Sequence, residues 1–489
     1  MTNKGSLPTS WTLVQLGELG DWGSGGTPTR TNSAYYGGNI PWLKIGDLTD
    51  GPVWSAETHI TQEGLNNSSA KPLEPETILI AMYGSIGKVG LTKIKCATNQ
   101  AIAFCRHSPE TVDQNFLLFG LRYLKPTLIS LGQGGAQQNI SQTLLKRIKL
   151  PLPPLNEQRR IVEKIETLFA RLDQGEAGLR EVQALLTRYR QSVLKAAVTG
   201  ELTADWRAEN AHHLEHGRDL LERILLTRRE HWQGRGKYKE PAAPNTSELP
   251  ELPEGWVWAS LDALLIHLTS GSRGWKKYYG RGEGVFIMAQ NVRPMRFDLS
   301  EKFRVDPPPG SPDAIRSEVR KDDILITIVG ANTGDVCRFH SDERHHYVCQ
   351  SVALLRPAEA SLSHFLEMFL ASKGAGRDQL EKFIYGAGRP HLSFEQLRSV
   401  AIPLPPLEEQ AEMMRRVSEK LSEIQQIEET HQTELTRSAA LRQSILKDAF
   451  AGRLVPQDPN DEPAADLLAR LRAAREAEPK KPSRRKTRA

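Results

Sequence analysis

The sequence predicts an α+β protein in which two mixed α/β heads are separated by two long helices, the whole built as an internal repeat. Three observations predict it. Leu150 to Leu202 opens L-P-L-P-P-L-N-E-Q, continues as a helical pattern and closes Q-S-V-L-K-A-A-V-T-G-E-L. The same stretch returns at Ile402 to Leu454, opening I-P-L-P-P-L-E-E-Q and closing Q-S-I-L-K-D-A-F-A-G-R-L. Pro151 and Pro403, Gln158 and Gln410, Leu194 and Leu446, and Gly200 and Gly452 are all 252 positions apart, so no residue separates the copies in length. A surface loop tolerates insertions over such a span, whereas a rod whose length sets a distance does not. Finally, L-P-T-S-W-T-L-V-Q-L from Leu7 answers L-P-E-G-W-V-W-A-S-L from Leu252, so the duplication includes the heads.

These signals divide the 489 residues into 1–150 (first head), 151–204 (first spacer helix), 205–250 (satellite helix and linker), 251–402 (second head), 403–455 (second spacer helix) and 456–489 (satellite helix and basic tail). Within the heads, Gly-rich turns at Gly23–Thr27 and Ser270–Gly274 precede short strands at Ile40–Ile45 and Val285–Ala289. Thr77–Gly84 and Asp323–Gly330 are apolar, partly β-branched runs stopped by glycine, which reads as a strand entering a tight turn. Strands Ala101–Phe104 and Val352–Leu355 and helices Phe116–Leu124 and Phe365–Leu370 follow. Polar loops, Gly132–Asn139 and Tyr385–His391, close each head. The heads have diverged much further than the helices: the Asp306–Pro312 loop has no counterpart near Leu65.

In the first long helix, apolar residues at Ile161, Ile165, Leu168, Leu172, Leu179, Val182, Leu186, Tyr189 and Val193 step by four and three, with Gly175 the one break, a coiled-coil seam. The second carries Val417, Leu421, Ile424, Ile427, Leu435, Leu441 and Ile445, with His431 in the seam. Pro154 and Pro406 set the starts, Asn156 is a candidate N-cap, and Gly200 and Gly452 are candidate stops. One apolar stripe in water needs another to cover it, and because whole domains lie between the helices, an antiparallel coiled coil is the economical pairing. The satellites, Asp219–Glu230 and Asp466–Glu476, are amphipathic, which suits docking on a partner or covering their own domain. Glu240–Glu254 reads as a linker, and the tail from Glu478, basic from Lys480 to Arg488, as disordered.

Composition narrows the function. A net charge of +5 with 25% charged residues permits a nucleic-acid partner without demanding one. Four cysteines make no disulfide framework and point to a reducing cytoplasm. No signal-peptide core and no apolar run long enough for a membrane span is present. Catalytic signatures are missing. Asp306-Pro307-Pro308 places Pro309 where an adenine methyltransferase needs an aromatic ring, and Gly84–Lys88 is too short for a phosphate loop. Cys337, His340, His345, His346 and Cys349 cluster in sequence, but the spacing fits no known finger and the first head lacks them, so no metal is assigned. No cofactor is expected, and the chain reads as a non-catalytic binder.

The set resembles the specificity subunit of type I restriction–modification systems (HsdS). The residues that carry the resemblance are L-P-x-x-W near each head's start, S-G-G-T-P-T and Y-Y-G-G-N-I-P-W-L-K-I-G-D-L, Gly134–Ser141, and the P-L-P-P-L-x-E-Q helix openings. The resemblance covers essentially the whole chain. It implies two target-recognition domains, each reading one half of a split double-stranded DNA site, and helices that fix the unread spacer. It also implies docking of two modification (methyltransferase) subunits, with restriction subunits joining, and a pseudo-two-fold repeat matched to the duplex. Arg389-Pro390-His391 stands where the first head has Gln137-Gln138-Asn139, so the two heads are expected to read different sequences. Base readers in the major groove are forked donors and acceptors on loops. Candidates in the first head are Lys44, Tyr83, Ser85, Lys88, Gln137, Gln138 and Asn139. In the second they are Arg273, Lys276, Lys277, Asn291, Arg293, Asn332 and Arg389. Trp11, Trp42 and Trp256 read as core. The alternative function is a non-catalytic scaffold whose heads bind protein or RNA.

Overall fold

The computed structural model describes residues 7–132, 139–230, 237–271, 274–308, 310–343, 345–386 and 388–477; the tail from Glu478 lies outside them. The chain forms two compact units that cut across chain order. One holds the residues up to Leu179 with those from Gln432 onward, and the other holds Arg180–His431. Each unit therefore contains one head, the beginning of the long helix that follows it, and the end of the other long helix.

In the first unit, Thr12–Gln15 pairs antiparallel with Lys149–Leu152, so the entrance and exit of the head are tied together. Between them lie two sheets. One is five-stranded, in the order Gly20–Ser24, Ile102–His107, Ile78–Ala81, Val89–Thr92, Pro52–Val53. The other is three-stranded, in the order His59–Ile60, Tyr36–Leu43, Ala97–Thr98. The helix Gln114–Ser130 buries Phe116, Leu117, Phe119 and Leu121. The second unit repeats the plan. Val257–Ser260 pairs with Ala401–Leu404. A four-stranded sheet follows the order Leu265–Ser270, Val352–Pro357, Ile324–Thr327, Val336–Arg338. The β-branched runs expected as central strands, Ile78–Ala81 and Ile324–Thr327, are buried at every residue, because alternate side chains enter apolar clusters on opposite faces of the sheet: Ile78 and Ile80 one, Leu79 and Ala81 another.

The long helices run Leu155–Val198 and Leu407–Ala449, 44 and 43 residues without a break. Each begins directly after the expected proline. Asn156 is not the N-cap, for it already lies inside the first turn; the Pro154 carbonyl accepts from the Gln158 backbone N–H at 2.9 Å, and the Asn156 side chain accepts only from Arg159. Gly200 and Gly452 do end the helices, at φ of +76° and +70°.

Within each unit the helix segments run antiparallel. Arg442 bonds Asp173 and Glu176 in the first, and Arg190 bonds Glu428 in the second. The seam differs from the expected one. Leu186 and Val193 are buried, but Val182, Tyr189, Ile427 and Leu441 are exposed. The second row of the seam is polar instead. Glu176 and Arg442 form a largely covered ion pair across the first unit's helix segments, and Arg190 and Glu428 form a half-exposed pair across the second's.

Each satellite covers a head, but the head of its own unit rather than the one preceding it in sequence. Leu220 and Ile224 of Gly217–Glu230 enter the core of the second unit. Ala464 and Leu468 of Ala464–Ala477 enter that of the first.

Where the helix ends meet the heads, both units use a tryptophan–carboxylate contact. Trp11 Nε1 donates to Glu157 at 3.0 Å, and Trp256 Nε1 donates to Glu409 at 2.8 Å. Gln158 and Gln410 donate back to the carbonyls of Pro153 and Pro405. The P-L-P-P-L-x-E-Q motif is thus a local clasp: prolines set the turn, glutamine ties it, and glutamate anchors the head's tryptophan.

Candidate nucleic-acid interface

On each head the strand that ends in glycine turns back through a tight hairpin, and the residues that follow the Gly-rich loop, from Asn139 in the first head and His391 in the second, pair with it. In the first head the Ile140 backbone N–H donates to the Met82 carbonyl at 2.9 Å, and Tyr83 bridges Asn139. In the second, Leu392 N–H donates to Ile328 at 3.0 Å, and Val329 bridges His391. A third loop follows the strand Tyr36–Leu43 or its counterpart Tyr279–Ile287 and closes with the same cap. Asp47 accepts from Lys44 N–H at 2.7 Å, and Asn291 accepts from Met288 N–H at 2.9 Å. Main-chain geometry is therefore shared, while the side chains presented differ: Tyr83 against Val329, Asn139 against His391, Lys44 against Met288.

Of the candidates, Tyr83, Ser85, Asn139, Lys277 and Arg389 are exposed. Lys44 is half-buried, its ammonium 5.7 Å from the Trp42 ring centre. Lys88 Nζ reaches the carbonyls of Ile45 and Gly46 at 3.4 Å, which draws the hairpin to the Lys44 loop. In the first head Lys44, Tyr83, Ser85, Lys88 and Asn139 are thus brought together. Lys277 lies on the short 3-10 helix Gly274–Tyr278, its ammonium 4.9 Å from the Tyr278 ring centre. Asn332 sits in the second hairpin, its carbonyl bonded by Asp335 N–H, and Arg293 lies on the small strand Val292–Arg293.

Asn291 is corrected. It is buried, and its amide donates to the carbonyls of Asp298 and Glu301 at 2.8 and 3.0 Å, so it locks a loop and has no donor left for a base. Gln137, Gln138 and Arg273 lie outside the described residues, as does the side chain of Lys276. Trp11, Trp42 and Trp256 are buried, as expected of core residues.

Sequence reasoning passed over Tyr385 and His391, whose rings stack at 6.0 Å and 24° beside the second hairpin with Tyr385 exposed. An exposed aromatic in a glycine-rich loop was the available signal. It also passed over Asp335, which takes the place of Lys88 and accepts from Arg377 at 3.1 Å.

Cys337 and Cys349 are buried in the second head, and burial pushes both thiols up, so they stay protonated. Cys96 is pushed up to about 12 by the same cause. Among the described residues no group of three His, Cys, Asp or Glu side chains is placed to hold a metal, and no helix is long and apolar enough to cross a membrane.

Fold and site together define a duplicated, two-headed protein that presents unlike loops on like frames, each frame mounted on long helices. The chain belongs to the family of the type I restriction modification DNA specificity domain, whose model matches residues 8–182 and 317–437. It is 27% identical to the type I restriction enzyme StySPI specificity subunit of Salmonella potsdam over 97% of both chains. It is 26% identical to the EcoKI specificity subunit of Escherichia coli (strain K12) over 99% of both. The fold matches a chain solved in a study of complex assembly and conformational transition of the type I restriction–modification system. The TM-score is 0.58 at 19% identity, covering 92% of this chain and 99% of that one.

Proposed function

We propose that this chain is the DNA-reading subunit of a type I restriction–modification complex and catalyses nothing itself. Each head reads one half of a bipartite, asymmetric double-stranded DNA target through the major groove. The paired helices set the unread spacer and dock two adenine methyltransferase subunits, to which restriction subunits are added. The complex works in the cytoplasm, in keeping with four buried, unpaired cysteines.

One observation carries the reading. The same backbone hydrogen bonds hold the hairpin and the closing loop together in both heads, yet the residues displayed there differ in charge, shape and donor pattern. A frame kept constant under changing side chains suits two readers of two different half-sites. Full coverage by specificity subunits at 26–27% identity supports it.

The test is binding by the chain assembled with its methyltransferase partner to the duplex methylated in vivo and to a scrambled duplex. Ser85→Ala and Asn139→Ala are expected to relax one half-site, and Asn332→Ala and Arg389→Ala the other, by about 1–3 kcal/mol for each side chain that bonds a base edge. Equal affinity for the scrambled duplex, or preference for RNA in the same assay, rejects the reading.

A further inference from the structure

The second unit holds a cavity of about 680 Å³ along the edge strand Leu265–Ser270. Its lining includes five arginines, Arg228, Arg316, Arg320, Arg356 and Arg398, together with His267. Arg356, Asp323 and Leu265 set it toward the end of the sheet opposite the hairpin, and Arg316 reaches along the edge strand to the Thr269 hydroxyl and the Ser270 carbonyl at 2.9 and 2.6 Å. Arg356 is near the end of the strand Val352–Pro357 and Asp323 just precedes Ile324–Thr327, whereas the hairpin follows Thr327.

The charges do not cancel. Arg356 is held by both oxygens of Asp323 at 2.8 and 2.7 Å, Arg316 by Asp313 at 2.8 Å, and Asp262 is shared between Arg228 and Arg398 at 3.2 and 3.3 Å. Five guanidinium groups thus face three carboxylates, which leaves two positive charges over. Arg228 is nine-tenths buried, and its Nη1 has no hydrogen-bond partner. A buried guanidinium N–H without an acceptor is costly unless a ligand supplies one. The remaining wall is apolar: Ile266 and Ile315 are exposed there, beside Leu265 and Leu268.

The first head lacks this site. His267 lies opposite Arg356 as Asp21 lies opposite Arg106. Arg356 donates to the Glu318 carbonyl as Arg106 donates to that of Pro72. Counting from that shared bond, Ala70 and Glu74 stand where the second head has Arg316 and Arg320. Two of the arginines, and the histidine, belong to the second head alone.

We propose that this cavity binds a small molecule bearing a phosphomonoester, of mononucleotide size. A dianion matches the two uncompensated charges, planar guanidinium groups suit its oxygens, the apolar wall suits a base or another flat group, and the volume falls in the range of small-ligand pockets. The site is separate from the DNA-reading loops, so its failure leaves that reading untouched.

Isothermal titration of the full-length chain with inorganic phosphate and with adenosine monophosphate provides the test. Both are expected to bind at one per chain and to compete, the nucleotide more tightly. Arg320→Ala and Arg316→Ala, checked for folding by thermal melting, are expected to weaken both at least tenfold, and Lys277→Ala is expected to change neither. No saturable binding of either probe overturns the proposal, as does wild-type affinity in both folded arginine variants. Displacement of the probes by a target duplex also overturns it, because the cavity would then belong to the DNA path.

Discussion

The two units close the same junction with different chemistry. In the first, the end of the second long helix inserts Phe450 against Phe116 and Tyr123, with ring centres 4.9 Å apart in each pair, and the Glu157 carboxylate takes its bonds from Trp11 and Gln457. In the second, the equivalent of Phe450 is Val198, and Glu409 takes its bonds from Trp256, Thr203 and Arg207. One junction relies on aromatic volume around a carboxylate bonded only by neutral donors. The other has a smaller plug and a buried ion pair. The difference shows that the repeat conserves the contact between tryptophan and glutamate, while what surrounds it is free to drift provided the carboxylate keeps its donors.

The largest way to break that contrast is to remove the plugs. Phe450→Ala should cost about 3–5 kcal/mol, and Val198→Ala roughly 2 kcal/mol, read from hydrogen exchange in the helix Gln114–Ser130 and in its counterpart Ser363–Ala371. Equal losses would mean that the aromatic plug contributes no more than its smaller twin. The donors come next. Arg207→Ala leaves Glu409 buried without its cation, at a cost of about 3 kcal/mol, whereas Gln457→Ala removes one neutral donor for about 1–2 kcal/mol, both measured by urea denaturation at neutral pH.

The third test uses pH. Burial, ahead of the opposing hydrogen bonds, raises the Glu157 carboxyl above its ordinary value. A folded value above the unfolded one means the native state binds the proton more tightly. Any stability from this group is therefore complete below the ordinary carboxylate range and falls away as pH rises through the raised folded value. Glu157→Gln should accordingly gain stability relative to the wild type between pH 4 and pH 8, since Gln457 can turn its amide to accept. A stability difference that stays constant across that range would remove Glu157 as its source.

How much of this the sequence disclosed depends on how far apart the interacting residues lie. The helices, their proline starts and their glycine ends were legible, because each rests on residues within one turn. The exchange of helix ends between heads was not, since nothing near Phe450 in sequence marks Phe116 as its neighbour. The seam was half legible. Apolar spacing marked Leu186 and Val193 correctly but also took in Val182 and Tyr189, because which residues are covered depends on the side chains of the other helix, where Glu428 pairs with Arg190. Asn291 was misread because an exposed-looking loop asparagine resembles a base reader. Its twin Asp47 performs the same capping, and an aspartate and an asparagine at matched repeat positions have in common only an acceptor.

The smallest expected effect on stability sharpens the comparison of the two helix segments. The second unit's part of the pair exposes Val182, Leu185, Tyr189 and Ile427, at 39, 53, 46 and 47%, while the first unit's part exposes, of its large apolar residues, Leu441. Val182, Leu185 and Tyr189 are spaced three and four apart, so they form one stripe on one face. Leu185→Ser with Tyr189→Ser removes apolar surface that already faces water, so the unfolding free energy from urea titration should change by less than about 0.5 kcal/mol. If the stripe is where a methyltransferase subunit docks, the same variant should assemble with one such subunit instead of two, measured by native mass spectrometry. Retention of both subunits would place their contacts elsewhere and leave the exposed stripe without a role in assembly. Loss of both would show that the two docking events are coupled, and that the asymmetry between the helix segments does not separate them.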